Sequence, residues 1–93
     1  MAPNSKLSRS RRSARNDQQL LKQIGLKVHR ELFKQSRTTE ALSIEIGLAR
    51  STIREVIAGR SNVRFLNLRA IVLGLGYGTV REFLVDIETG PAA

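Results

Sequence analysis

Two apolar stripes in "ALSIEIGLARSTIREVIAG", residues 41 to 59, constrain this chain more than any other stretch. Leu42 and Ile46 make the first, and the run before them supplies a helix start: Thr38 suits an N-cap, and Glu40 suits the positive end of a helix dipole. A helix over about 39 to 46 follows. Gly47 then stands where a helix C-terminus requires positive φ, and the next helical pattern begins only three residues later. Two helices joined that tightly must cross at a steep angle.

The second stripe is more informative because its opposite face is polar. At about 100° per residue, Thr52, Ile53, Val56 and Ile57 fall on one side of residues 50 to 58, and Arg50, Ser51, Arg54, Glu55 and Ala58 on the other. One side packs. The other carries two forked cations, a hydroxyl, a carboxylate and a small apolar residue, groups that address phosphates, guanine edges, cytosine amino groups and thymine methyls. A merely solvated helix face is the competing reading.

Three further helices complete the chain. Asn16 and Gln19 resemble a capping box, and Leu21, Ile24, Val28 and Leu32, widened by Leu20 and Phe33, predict a helix over about 17 to 36. Gly25 inside it costs about 1 kcal/mol relative to Ala, which points to close packing there. Phe65, Leu68, Ile71, Val72 and Leu75 mark a fourth helix ending in "GLGYG". Those glycines lack the spacing and the preceding strand of a dinucleotide loop, so they read as a helix stop and a turn. Thr79 and Glu82 form a capping box for a fifth helix with the stripe Val80, Phe83, Leu84 and Ile87, and the last residues, 89 to 93, read as a frayed end.

Before the first helix, "MAPNSKLSRSRRSAR" holds Arg9, Arg11, Arg12 and Arg15, no acidic residue and only isolated apolar ones. Such a segment cannot bury enough surface to offset its ordering entropy, so residues 1 to 15 are expected to form a disordered basic arm, either a solvated tail or an arm contacting nucleic acid. Sixteen Lys and Arg against eight Asp and Glu give the chain a net charge of +8, which favours a polyanionic partner: nucleic acid first, acidic membrane second. No segment approaches the roughly 20 apolar residues that span a bilayer, and the basic N-terminus lacks the apolar stretch of a secretory signal. The expected location is the cytoplasm, at the nucleoid. With no cysteine and a single histidine, His29, no metal site is expected, no cofactor is implied, and no nucleophile with a base can be assembled, so an enzyme is not expected. At 93 residues with 41% hydrophobic content, the chain has room for one small core, here residues 16 to 88.

This all-α pattern, five short helices with a tight glycine turn between the second and third, resembles the lambda-repressor-like helix-turn-helix domains of the Cro and phage-repressor (XRE) class. The likeness runs over about residues 24 to 85. Leu42, Ile46, Leu48, Ile53 and Val56 stand where that family has apolar residues, and Gly47 where it has glycine. "IAGRSNVRFLNLRAIVLGLGYGTVREFL" then follows the family's glycine-basic loop, apolar helix ending in Leu-Gly, and capped final helix. The chain departs from the pattern at Ser43, where the family favours Ala and where the hydroxyl can bond back to a helix carbonyl. It departs at Ala49, where a Ser or Thr cap is usual, a loss of about 1 kcal/mol. Thr39 replaces a common glutamine, and "SRT" replaces the usual Gly and apolar residue between the first two helices.

The resemblance implies a sequence-specific DNA-binding transcriptional regulator, with repression the common role. Arg50, Ser51, Arg54 and Glu55 would then face bases in the major groove, and Thr39, Arg60 and Asn62 would hold phosphates of double-stranded DNA. One such module reads too few base pairs, so a homodimer is expected. The surface expected for it is Tyr77, Val80, Phe83, Leu84, Val85 and Ile87, in competition with a stripe that merely closes the core. An antitoxin that binds a protein toxin and regulates its own gene, and a nonspecific nucleic-acid binder driven by the arm, are the alternatives.

Overall fold

The structure, a computed structural model, describes residues 11 to 60 and 62 to 89. Over these residues the chain is all-helical: α1 (Arg11–Lys34), α2 (Thr39–Ile46), α3 (Arg50–Ala58), α4 (Phe65–Gly74) and α5 (Val80–Thr89). The core is built from one or more buried residues of each helix: Ile24, Val28 and Leu32 of α1, Leu42 of α2, Ile53 and Val56 of α3, Leu68, Ile71 and Val72 of α4, and Phe83 of α5, with Leu75 just beyond α4. Helix α1 packs against α3 and α5, α2 against α3 and α4, and α4 against α5. No helix among the described residues is long and apolar enough to cross a membrane.

Helix α1 begins earlier than its cap signal suggests. The backbone is helical from Arg11, so Asn16 lies inside the helix rather than capping it, and residues 11 to 15 belong to α1 rather than to an arm. The reason is propensity: "RRSARNDQQL" contains no glycine or proline, and its Arg, Ala, Gln and Leu residues favour continuation. The arm residues before Arg11, Arg9 among them, lie outside the described residues. Phe33, expected to widen the apolar stripe, is 80% exposed because only Val28, Leu32 and their neighbours meet other helices.

The end of α1, where the usual glycine is missing, closes through Ser36. Its φ of 54° is left-handed, and the N–H groups of Ser36 and Arg37 donate to the carbonyls of Phe33 and Leu32 at 3.1 and 2.9 Å. This is the two-bond helix ending normally built on glycine. The same segment then caps another helix. Arg37 Nη1 donates to the Gly74 carbonyl and Gln35 Nε2 to the Leu75 carbonyl, both at 2.8 Å, so two acceptors at the C-terminus of α4 find partners on the connection between α1 and α2. Arg37 also bonds Gln35 Oε1 and pairs with Glu45.

At the start of α5, the Glu82 N–H donates to Thr79 Oγ1 at 3.1 Å. The Glu82 carboxylate reaches the N–H of Gly78, at 2.9 Å, one residue before the group that a reciprocal capping box would use. Phe65, expected in the packed stripe of α4, is 61% exposed. It is the first residue of that helix and sits about 60° round from Leu68, beyond the reach of a covering neighbour.

Candidate nucleic-acid interface

Helix α3 is seated from behind and held from one end. Ile53 and Val56 are buried, and Ile57 is half-buried against the same core. Behind them, Gly25 of α1 lies so close to the last turn of α3 that a Cβ there would stand 2.3 Å from the Ile57 carbonyl oxygen and 2.4 Å from that of Val56. Only glycine permits that approach. At the N-terminal end, Gly47 adopts φ 75° and ends α2, and α3 begins three residues later. Ser43 tightens this turn, but not by bonding back to a carbonyl of its own helix: its hydroxyl donates to the carbonyl of Leu48, beyond Gly47, because the turn brings that acceptor beneath it. Ala49 occupies the N-cap of α3 in extended conformation and makes no side-chain cap bond, so the missing Ser or Thr has no substitute there.

With its rear face fixed, α3 presents Arg50, Ser51, Arg54 and Ala58 to solvent, with Glu55 half-buried beside them. Arg50 and Arg54 lie one turn apart in one row, and Ser51 and Glu55 in the next. Two of the charges are already engaged. Arg50 Nη1 pairs with Glu40 Oε2 of α2, and Glu55 Oε2 with Arg60 Nη2 at 3.2 Å. Arg54 has no hydrogen-bond or ion-pair partner among the described residues. Exposed pairs of this kind are worth only about 0 to 1 kcal/mol, so a stronger acceptor can displace them.

The residues read as phosphate contacts surround this face. Thr39 is half-buried at the first position of α2, next to the cap Thr38, whose Oγ1 accepts the Ala41 N–H at 3.0 Å. Arg60 and Asn62 are exposed just beyond α3. A shallow depression gathers Thr52, Glu55, Asn62, Arg64 and Asn67, bringing two residues to the site that the sequence reading missed. Arg64 stands at the N-cap of α4 and Asn67 in its first turn. The signal for Arg64 was present in "NVRF", a basic residue directly before an apolar helix. Asn67 left none, because only folding turns it towards α3. Around the face, Arg50, Arg54, Arg60 and Arg64 against Glu40 and Glu55 leave an excess of two positive charges.

The other expected sites fare differently. Arg11, Arg12 and Arg15 lie on helical backbone at the start of α1, some forty residues before the α3 face in sequence. Phe83 is fully buried and contributes nothing to an accessible dimer surface. It stacks edge-on with Tyr77 at 5.3 Å, while Lys27 Nζ lies 4.9 Å above its ring and donates to its carbonyl at 2.6 Å. Tyr77, Val80, Leu84 and Ile87 are half-buried against the core, which leaves Val85, 52% exposed, as the open member of that set. A larger apolar stripe lies on α4, where Phe65, Leu66 and Leu73 are exposed around Arg69. Among the described residues, no group of His, Asp or Glu could hold a metal ion.

No family model, no curated protein and no solved structure matches the chain, so the reading of this face rests on its own residues and geometry.

Proposed function

We propose that the chain is a sequence-specific DNA-binding transcriptional regulator with a lambda-repressor-like fold, in which α3 enters the major groove. The observation that carries this is the two-sided character of α3: Ile53 and Val56 buried behind, Arg50, Ser51 and Arg54 exposed in front. A nine-residue helix held this rigidly projects side chains that match base edges in hydrogen-bonding type. Arg54, central and without a partner among the described residues, is the principal base contact, flanked by Arg50, Ser51 and Glu55. Thr39, Arg60, Asn62 and Arg64 bind phosphates, which positions the protein without reading sequence. The net charge of +8 supplies the long-range attraction. Catalysis has no part in this reading.

Because one module discriminates over few base pairs, two copies act together on a pseudo-palindrome with half-sites about 34 Å apart. Among the described residues, Val85 and the α4 stripe of Phe65, Leu66 and Leu73 offer apolar surface to a second copy.

Selection of binding sites from random duplex DNA tests the reading. A recurrent motif that changes in Arg54→Ala supports it, because one bidentate base contact supplies about 1 to 3 kcal/mol of discrimination. Recovery of no motif, with equal affinity for all duplexes, overturns it in favour of nonspecific binding.

A further inference from the structure

The bond between Arg50 and Glu40 is the one ion pair described between the two helices of the tight turn, joining the first residue of α3 to the first turn of α2. From sequence, Glu40 is only a favourable charge at a helix N-terminus. In the fold it does something else. Its carboxylate takes one guanidinium nitrogen of Arg50, Nη1, and no other described group engages the remaining N–H donors, which face solvent on a side chain 53% exposed. A guanidinium carries five N–H donors in a rigid fork. Holding it by one corner restricts its orientation and leaves an edge free.

Resting on the DNA-binding reading above, we infer that Glu40 is a specificity-determining residue that acts through Arg50 without touching a base. On a matched site the free edge of the fork meets its base while the Glu40 bond persists, so Arg50 is already ordered when it binds. On an unmatched site no base presents acceptors aligned with the free edge of the fork, and the phosphates are the strongest acceptors nearby. To reach one, Arg50 must leave Glu40, and the abandoned carboxylate then faces the polyanion. Glu40 therefore favours matched over unmatched DNA from both sides, by ordering the contact on one and penalising it on the other.

The test uses the full chain and two duplexes of equal length, one carrying the motif recovered by selection and one scrambled. The readouts are affinity and its salt dependence. Glu40→Ala is expected to weaken matched binding about threefold and to tighten scrambled binding about two- to threefold, the range available to an exposed pair. The scrambled-site salt slope should steepen by about 0.9, the value for one additional phosphate contact. In an Arg50→Ala background the difference between the two duplexes should vanish, leaving only an equal tightening on both from the lost carboxylate, since the discrimination passes through that side chain. Glu40→Gln, which keeps an oxygen for Nη1 but no charge, should retain matched affinity while losing the penalty on scrambled DNA, and guards against a loss that merely reflects folding.

An equal shift of Glu40→Ala on both duplexes, or the same shift with and without Arg50, overturns the inference and makes Glu40 a plain negative charge near DNA. A wild-type chain that selects no motif overturns the DNA-binding reading itself, and with it this inference. That outcome is distinguishable because it appears before any variant is made.

Discussion

Helices α3 and α4 are nearly the same length, nine and ten residues, and each lacks a side-chain bond at its N-cap, Ala49 in one case and Arg64 in the other. Each buries a short apolar row in the same core, Ile53 and Val56 against Leu68, Ile71 and Val72. Their outer faces are opposites. That of α3 carries Arg50, Ser51 and Arg54, whereas that of α4 carries Phe65, Leu66 and Leu73 around Arg69. Inner faces are dictated by the fold and outer faces by what the protein meets. Similar burial can therefore accompany opposite exposed surfaces.

Unseating α3 should have the largest effect. Gly25→Ala forces a methyl against the backbone of the last turn of α3, and a loss of about 3 kcal/mol is expected in the unfolding free energy obtained from denaturant titration. A change below about 1 kcal/mol would show that α1 and α3 adjust freely and that α3 is not rigidly seated.

Next comes the end of α4. Arg37→Ala removes the donor to the Gly74 carbonyl, for an expected cost of about 2 kcal/mol. Hydrogen exchange should localise the loss to the last turn of α4, leaving the Gly59 end of α3 protected. A uniform loss across both helices would mean that the contrast between their supports is false.

Both missing caps can be supplied. Ala49 and Arg64 hold extended φ and ψ, as a capping Ser requires, so Ala49→Ser and Arg64→Ser should each stabilise by about 1 kcal/mol. They should part on DNA: Ala49→Ser leaves base preference unchanged, whereas Arg64→Ser lowers affinity for every sequence alike. Arg64→Ser with undiminished affinity would remove Arg64 from the phosphate contacts.

The smallest stability changes belong to the outer faces themselves. Arg54→Ala and Leu66→Ser should each alter stability by less than about 0.5 kcal/mol. Sequence selection should register the first alone. Sedimentation should register the second alone, as weaker self-association, and unchanged assembly would return the dimer surface to Val85 on α5.

How much of this was legible beforehand differs from element to element. Both limits of α2, the end of α3 and the start of α5 were readable because Thr38, Gly47, Gly59 and Thr79 are local signals with local causes, whereas Thr89, read as part of a frayed end, belongs to α5, and residues 90 to 93 lie outside the described residues. So was the polar face of α3, since one apolar row in a helix of nine residues leaves little choice of side. The start of α1 was misread because a good cap sequence at Asn16 was outweighed by the helix propensity of the residues before it. Its end was obscure because Ser36 performs in left-handed conformation what glycine usually does. Phe33 and Phe65 were assigned inward on type and spacing alone, and periodicity says which residues share a face without saying whether a neighbour covers it.

The helical class, the stop of α2 at Gly47 and the cationic face of α3 are written in short segments, because these depend on spacing, capping and charge between near neighbours. That Arg37 and Gln35 cap α4, that Gly25 seats α3, that Phe83 is core rather than surface, and that Glu40 holds Arg50 emerge with the packing of the helices. Each of those facts depends on residues from different segments of the chain coming together. Partners of that kind are selected by how the whole core packs, and no local pattern in the chain encodes which side chains will meet.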